Sequence, residues 1–305
     1  MTSFYQQLPK AELHLHLEGA VTPETLCELN PALNPDEVRA RYRYPDFPGF
    51  LQTFKWVMEH LNTPDHYALV ARHVFEELAR QNVRYAEINL SAGVALWRKK
   101  DFAPIYDAVN REAARSAVQV WWIFDAVRQF GAEAAMEVAR LAVERAGDRV
   151  VAFGIGGDET RGPAGEFAEV CAFARGHGLK LVPHAGETVG SESVWAALRL
   201  GADRIGHGIR SVEDAALMRH LREHQIPLEV CISSNVATGA VASLADHPVR
   251  RLFDAGVPLV LNTDDPCMFH TDLSREYELA ATEFGFSCEE LEQLARDSFR
   301  YGFRS

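Results

Sequence analysis

Residues 11–18 read AELHLHLE. Apolar and polar positions alternate strictly, the period of a β-strand with two unlike faces. Leu13, Leu15 and Leu17 share one face, expected to meet surrounding helices. Glu12, His14, His16 and Glu18 share the other. A solvated polar face needs no further account, but unpaired imidazoles and carboxylates are costly to bury. If the strand is internal, its polar face needs a partner from elsewhere in the chain.

Seven further runs resemble it: VRYAEINLS (83–91), VQVWWIFDA (118–126), VVAFGIGGDE (150–159), LKLVPHAGE (179–187), DRIGHG (203–208), PLEVCISSN (227–235) and PLVLNTDDP (258–266). Helical patterns such as EFAEVCAFARGHG, SESVWAALRLGA and EDAALMRHLREHQ lie between most of them, apolar at i, i+3 or i+4. Strands alternating with helices imply a parallel sheet with crossover helices. Eight units predict an α/β fold of one domain over residues 1–305, a (β/α)8 TIM-like barrel, with a doubly wound sheet as the competitor.

The segment 19–82, between the first two strands, is too long for a plain crossover and is expected to add helices. Insertions on that side of a barrel sit over its mouth. Within it, Phe47, Phe50, Leu51 and Phe54 fall on one helical face. That face either packs on the barrel or forms an apolar lid over a flat aromatic substrate.

The chain has 305 residues, 47% hydrophobic and 24% charged, with formal net charge -12. This is ordinary globular composition. The acidic balance argues against nucleic acid, whose recognition needs a basic face. Five scattered cysteines, with no C-x-x-C pair, argue against a disulfide framework or thiolate zinc knuckle and fit a reducing, cytoplasmic setting. The first residues have no signal-peptide pattern, and no apolar run approaches a membrane span. Composition leaves open whether the chain forms a homo-oligomer.

Polar residues gather at the C-terminal ends of the predicted strands, which converge on one mouth in a barrel. His14 and His16 stand about 6.6 Å apart along the first strand, within reach of one ion. His184 adds a third nitrogen and Asp264 a carboxylate oxygen. Three histidines, a carboxylate and a water suit one catalytic Zn²⁺, or another divalent transition metal. Glu187, three residues after His184, can overhang the metal and, partly desolvated, donate a proton to a substrate nitrogen. His207, between glycines, can orient or deprotonate a water. Asp264 and Asp265 are adjacent carboxylates that both ionise only beside positive charge, so a metal on Asp264 leaves Asp265 for substrate. Gly157, in GIGGDE, reads as close backbone approach to a ligand. His60, His66, His73, His177, His220 and His247 lie in helical or loop segments and read as surface residues.

The motifs LPKAELHLHLEGA, GGDE, HAGE, GHGI and LNTDDP, in this order, resemble the adenosine deaminase family of the amidohydrolase superfamily. The resemblance runs from Pro9 to the C-terminal region. It implies His14, His16, His184 and Asp264 as zinc ligands and Glu187 as donor to purine N1. It implies His207 as the residue activating water, Asp265 as partner of N7 and the Gly157 backbone as partner of N3. His16, Glu18, Phe47, Phe50 and Phe54 complete the expected substrate contacts. The implied reaction is hydrolysis of the 6-amino group of an aminopurine nucleoside.

Glu18 stands where adenosine-specific members often carry Asp, and would face the sugar side; the glutamate also occurs in relatives acting on free adenine. SSNVATGAV (233–241) and DDPCMFHTDLSREYEL (264–279) resemble members that deaminate aminodeoxyfutalosine, an adenosine with a bulky 5′ extension, in menaquinone synthesis. On that reading Arg210 and Arg275 are candidates to meet a carboxylate of the extension; otherwise they are surface ion pairs. A metal-dependent hydrolase of a non-nucleoside, and a silent binding barrel, are the competing readings.

Overall fold

In the computed structural model the eight runs form eight parallel strands. They are β1 Lys10–His16, β2 Val83–Leu90, β3 Gln119–Val127, β4 Val150–Gly156, β5 Lys180–Ala185, β6 Ile205–His207, β7 Leu228–Val230 and β8 Leu259–Leu261. Residues 3–44 and 47–304 are described, Phe47 by its backbone alone. Each strand pairs with its neighbour in chain order. Closure between β8 and β1 rests on a bridge of Leu15 with Asp264. There the His16 N–H donates to the Asp264 carbonyl at 2.7 Å, and the Asp264 N–H to the His14 carbonyl at 2.8 Å. The sheet closes on itself, so the doubly wound alternative falls away.

Strict alternation does not survive along β1. The pairing with β2 slips between Glu12 and Leu15, a bulge that puts one extra residue against the neighbour. Leu15 and Leu17 join the main core under the helices. Leu13 instead packs with Ala11, Tyr85 and Val260 in a separate cluster. The expectation that all three leucines share one face is corrected: the bulge turns Leu13 away from Leu15 while His14 and His16 still reach one centre.

Between β1 and β2 lie the helices Pro23–Leu29, Pro35–Arg41, Phe47–His60 and Pro64–Arg80. Three begin with proline, whose missing N–H is no loss in a first turn. Thr22, Asn34 and Thr63 cap them, their side chains accepting N–H groups of the first turn. Phe50, on the helix Phe47–His60, is buried. Its ring lies 5.0 Å from Phe269, 5.9 Å from Tyr44 and 6.0 Å from Phe54, centroid to centroid. Phe269 is four residues past Asp265, so this face packs beside the loop after β8. The predicted contact of Phe47 lies outside the described side chains.

Aromatic residues fill the layer between strands and helices, including Trp122 on Phe75 and Phe124 on Phe102 and Tyr106. Each such buried side chain contributes roughly 1.5–3 kcal/mol. Among the described residues no helix is long and apolar enough to cross a membrane.

Candidate metal and catalytic site

The polar face of β1 finds its partners at the strand ends. His14, His184, His207 and Asp264 are all buried and offer ligand atoms within 4.8 Å of one another. His16 belongs to the same cluster: its Nε2 is 3.3 Å from His184 Nε2 and 3.4 Å from Asp264 Oδ1. His14 Nε2 is 3.6 Å from that oxygen. Donors about 2.1 Å from one tetrahedral ion stand about 3.4 Å apart, so these spacings fit a shared ion. His14 Nε2 is buried without a hydrogen-bond partner, and a bare imidazole nitrogen facing other donors is what a metal satisfies. His14 Nδ1 contacts Glu229 Oε2 at 2.7 Å. A carboxylate there fixes the tautomer and aims the other nitrogen at the ion.

His207 lies at the edge of the cluster, its Nε2 3.7 Å from Glu187 Oε2 and 3.9 Å from Asp264 Oδ2. A relay behind it sets its hydrogens. The Val249 N–H donates to His247 Nδ1 at 3.2 Å, so His247 carries its hydrogen on Nε2, 3.2 Å from Asn235 Oδ1. Asn235 then presents Nδ2 to His207 Nδ1 at 3.1 Å. His207 is thereby left with N–H on Nε2, facing Glu187. His247 is buried, which corrects its reading as a surface residue. His60, His66, His73 and His220 are half-buried, and His177 is exposed.

His207 (φ 61°) and Asp264 (φ 64°) adopt left-handed backbone. For residues with a Cβ this costs about 1–2 kcal/mol, strain of the kind concentrated at functional sites. Ser234 Oγ donates to Asp264 Oδ2 at 2.6 Å.

Two carboxyls beside the cluster are driven towards their neutral forms. Burial raises Glu187 above the usual carboxylate range. Burial and the charge of Asp264 raise Asp265 well above it, and Asp265 Oδ1 is buried without a partner. Gly19 makes room for it: a Cβ there would fall 1.7 Å from Asp265 Oδ1. Gly157, the residue after β4, is exposed, with φ 93°. Glu18 is buried, and its carboxylate accepts the Ser91 N–H and hydroxyl, each at 3.1 Å. Burial pushes its carboxyl up to about 7.

Arg210 and Arg275 are surface ion pairs, with Glu213 and Glu278. A cavity of about 530 Å³ lies behind Leu15 and Thr263, lined by Thr25, Glu28, His73 and Cys267. None of the cluster's side chains line it.

Several residues at the site had no reading from sequence. Glu159 accepts the N–H groups of Gly186, Glu187, Thr188 and Val189 at 2.7–3.2 Å and so shapes the loop that carries Glu187. Arg128 donates to the His184 carbonyl. Asp125 is buried, one oxygen without a partner, where a Cβ on Gly154 or Gly156 would come within 3 Å of its carboxylate. A charged residue closing the apolar run VQVWWIFDA was its only signal.

A (β/α)8 barrel whose mouth gathers histidines and a carboxylate within ligand distance defines a metal-dependent hydrolase. The family model of adenosine deaminase matches residues 9–305, and the chain belongs to that family. Aminodeoxyfutalosine deaminase of Streptomyces avermitilis is 40% identical, the match covering 99% of this chain and 88% of that protein. The structure of adenine deaminase from Arthrobacter aurescens superposes with TM-score 0.90 at 30% identity, over 97% of this chain and 94% of that one. An amidohydrolase from Burkholderia ambifaria, with bound Zn, superposes with TM-score 0.91 at 26% identity, covering 99% and 89%. The chain is a hydrolytic deaminase acting on aminopurines.

Proposed function

We propose that the substrate is aminodeoxyfutalosine or a nucleoside similarly extended on its 5′ side, and that the metal is Zn²⁺ held by His14, His16, His184 and Asp264. The observation that carries the reading is the pair of buried, neutral-leaning carboxyls, Glu187 beside His207 and Asp265 beside Asp264. Purine N1 and N7 are both hydrogen-bond acceptors and flank C6 on either side. Two carboxyls that burial holds towards their protonated, hydrogen-donating forms match them.

The ion, when bound, supplies the Lewis acidity that makes a water nucleophilic near neutral pH. Glu187 gives its proton to N1, which draws electrons from C6 and opens it to attack. His207, with its hydrogen on Nε2, holds the attacking oxygen by donation. Asp265 donates to N7, and the Gly157 backbone meets N3, fixing the ring in its plane. As the oxygen bonds to C6, Glu187, now a carboxylate, takes one of that oxygen's protons and passes it to the leaving nitrogen, then takes the second as the 6-oxo bond forms. The C6–N bond breaks and ammonia departs, leaving the 6-oxo purine.

The name and 40% identity of the Streptomyces protein support the extended nucleoside. Free adenine is the second reading. It is favoured by Glu18, whose carboxylate is turned onto Ser91 rather than free for a sugar hydroxyl. Ammonia release from aminodeoxyfutalosine, adenosine, methylthioadenosine and adenine separates them. The highest kcat/KM is expected for aminodeoxyfutalosine. Turnover of adenine alone moves the function to the second reading, and no release from any of them removes both.

A further inference from the structure

A charged cluster lies beneath the ligand set, on the side away from the mouth. Arg204, one residue before β6, is 1% exposed. Its Nε donates to Glu229 Oε1 and its Nη2 to Glu87 Oε2, each at 2.5 Å. Both glutamates are fully buried. The other oxygen of Glu229 is the one that holds His14 Nδ1. An unmatched charge at such depth is strongly destabilising, so this cluster must be completed by its surroundings.

The segment 301–304 completes it. The Tyr301 carbonyl accepts from Arg204 Nη1 at 2.9 Å. The Phe303 ring lies under the guanidinium, 3.8 Å from its carbon to the ring centroid. The Phe303 N–H donates to Glu87 Oε1 at 2.5 Å. Tyr85 Oη donates to the same oxygen at 2.5 Å and accepts the Arg304 N–H at 2.9 Å. Phe303 also packs against Ile123, Val151, Ala152 and Val182 of three adjacent strands, closing the barrel from below.

We propose that residues 301–304 are a plug whose docking, relayed through Arg204 and Glu229, sets the direction of the His14 imidazole. Phe303, Arg204 and Glu229 are then positioning residues for the metal centre. The relay is short and rigid: a planar guanidinium forks between two carboxylates, and one carboxylate holds the ring nitrogen. With the plug seated, water is excluded and Arg204 has no other partner to turn to. Without it, the floor is wet, Arg204 is free to swing out, and Glu229 loses the anchor that keeps it on His14.

The proposal rests on His14 being a metal ligand, and the test keeps the two apart. The full chain carrying Phe303→Ala, Arg204→Lys or His14→Ala is titrated with Zn²⁺ against a chelator. The visible spectrum of each Co²⁺-loaded protein and the melting of each metal-free protein are recorded beside it. Phe303→Ala is expected to keep its fold and bind Zn²⁺ about 10–100-fold more weakly, the range typical of lost outer partners, with a changed Co²⁺ spectrum. Arg204→Lys keeps the charge and loses the fork, so it is expected to weaken Zn²⁺ in the same direction, and it carries the test if Phe303→Ala does not fold. Zn²⁺ affinity within twofold of wild type with an unchanged Co²⁺ spectrum, in whichever of the two folds, overturns the plug. If His14→Ala binds Zn²⁺ like wild type, the ligand assignment itself falls. If His14→Ala loses Zn²⁺ and the other two do not, the plug alone falls.

Discussion

Glu159 Oε2 accepts the backbone N–H of Glu187 at 2.9 Å. With the bonds from Gly186, Thr188 and Val189, and the Ser193 hydroxyl at 2.6 Å, one buried carboxylate organises the whole turn after β5. Burial opposes its charge, but these donors hold it below the usual carboxylate range. Hydrogen bonds to a charged group are worth about 1.5–3 kcal/mol each and are not additive. Glu159→Ala is therefore expected to lower stability by about 3 kcal/mol, seen in thermal melts. It should cut kcat by about 100-fold through a misplaced Glu187, with metal content intact.

Glu187→Gln keeps the shape of that side chain and removes its proton. Metal content should stay at the wild-type level while kcat falls by about 10²–10⁴-fold, the usual weight of a general acid. Near-wild-type turnover would remove Glu187 from the role.

Asp264 takes part in the cluster by its side chain and in the seam of the barrel by its backbone. Asp264→Asn tolerates the left-handed backbone, as asparagine does, and keeps both seam hydrogen bonds. It is expected to keep the circular dichroism of the barrel while bound zinc, read by elemental analysis, drops several-fold. A full zinc complement in this variant would contradict the ligand role.

Glu18→Asp shortens the side chain by one methylene, so its carboxylate can no longer reach both donors on Ser91. The ratio of kcat/KM between 5′-extended nucleosides and adenine should shift by about tenfold or more, with zinc unchanged. A flat ratio would mean that Glu18 only supports Ser91.

His247 is buried, and that burial lowers its imidazole to about 3. Its unfolded value is near 6.5. Because the unfolded chain binds the proton more readily, the contribution is complete above pH 6.5 and is lost as pH falls towards 3. Between pH 6.5 and 5 this amounts to about 2 kcal/mol. His247→Gln keeps a donor for Asn235 but cannot titrate. Its melting temperature should fall less steeply than that of wild type across this interval, and equal slopes would assign the acid sensitivity elsewhere.

The barrel and most of the cluster were legible in the sequence for a local reason. Alternation around His14 and His16, and short motifs ending at His184, Glu187, His207 and Asp264, each sit at a strand end, and a barrel brings strand ends together. What escaped is non-local. Nothing in AELHLHLE marks a bulge, because the slip is set by what β2 presents, so alternation alone places Leu13 on the wrong face. Glu229 reads as one polar position in a three-residue strand; only its neighbours His14 and Arg204, 215 and 25 residues away in sequence, make it part of the site. His247 looks like a loop histidine until Asn235 folds back on it. Buried polar groups declare themselves through partners, and partners distant in sequence leave no local pattern.

The closing seam between β8 and β1 has a further consequence. Its backbone hydrogen bonds lie at His14, His16 and Asp264, and it joins the longer strands β1–β5 to three strands of three residues each. The proposed centre therefore coincides with the thinnest stretch of the wall, a seam with a single bridge. Sub-global opening should begin there. In hydrogen exchange on the metal-free chain, the amides of His16 and Asp264 would trade with solvent well before those of β2 and β3, and catalytic competence would be lost while most of the barrel is still folded.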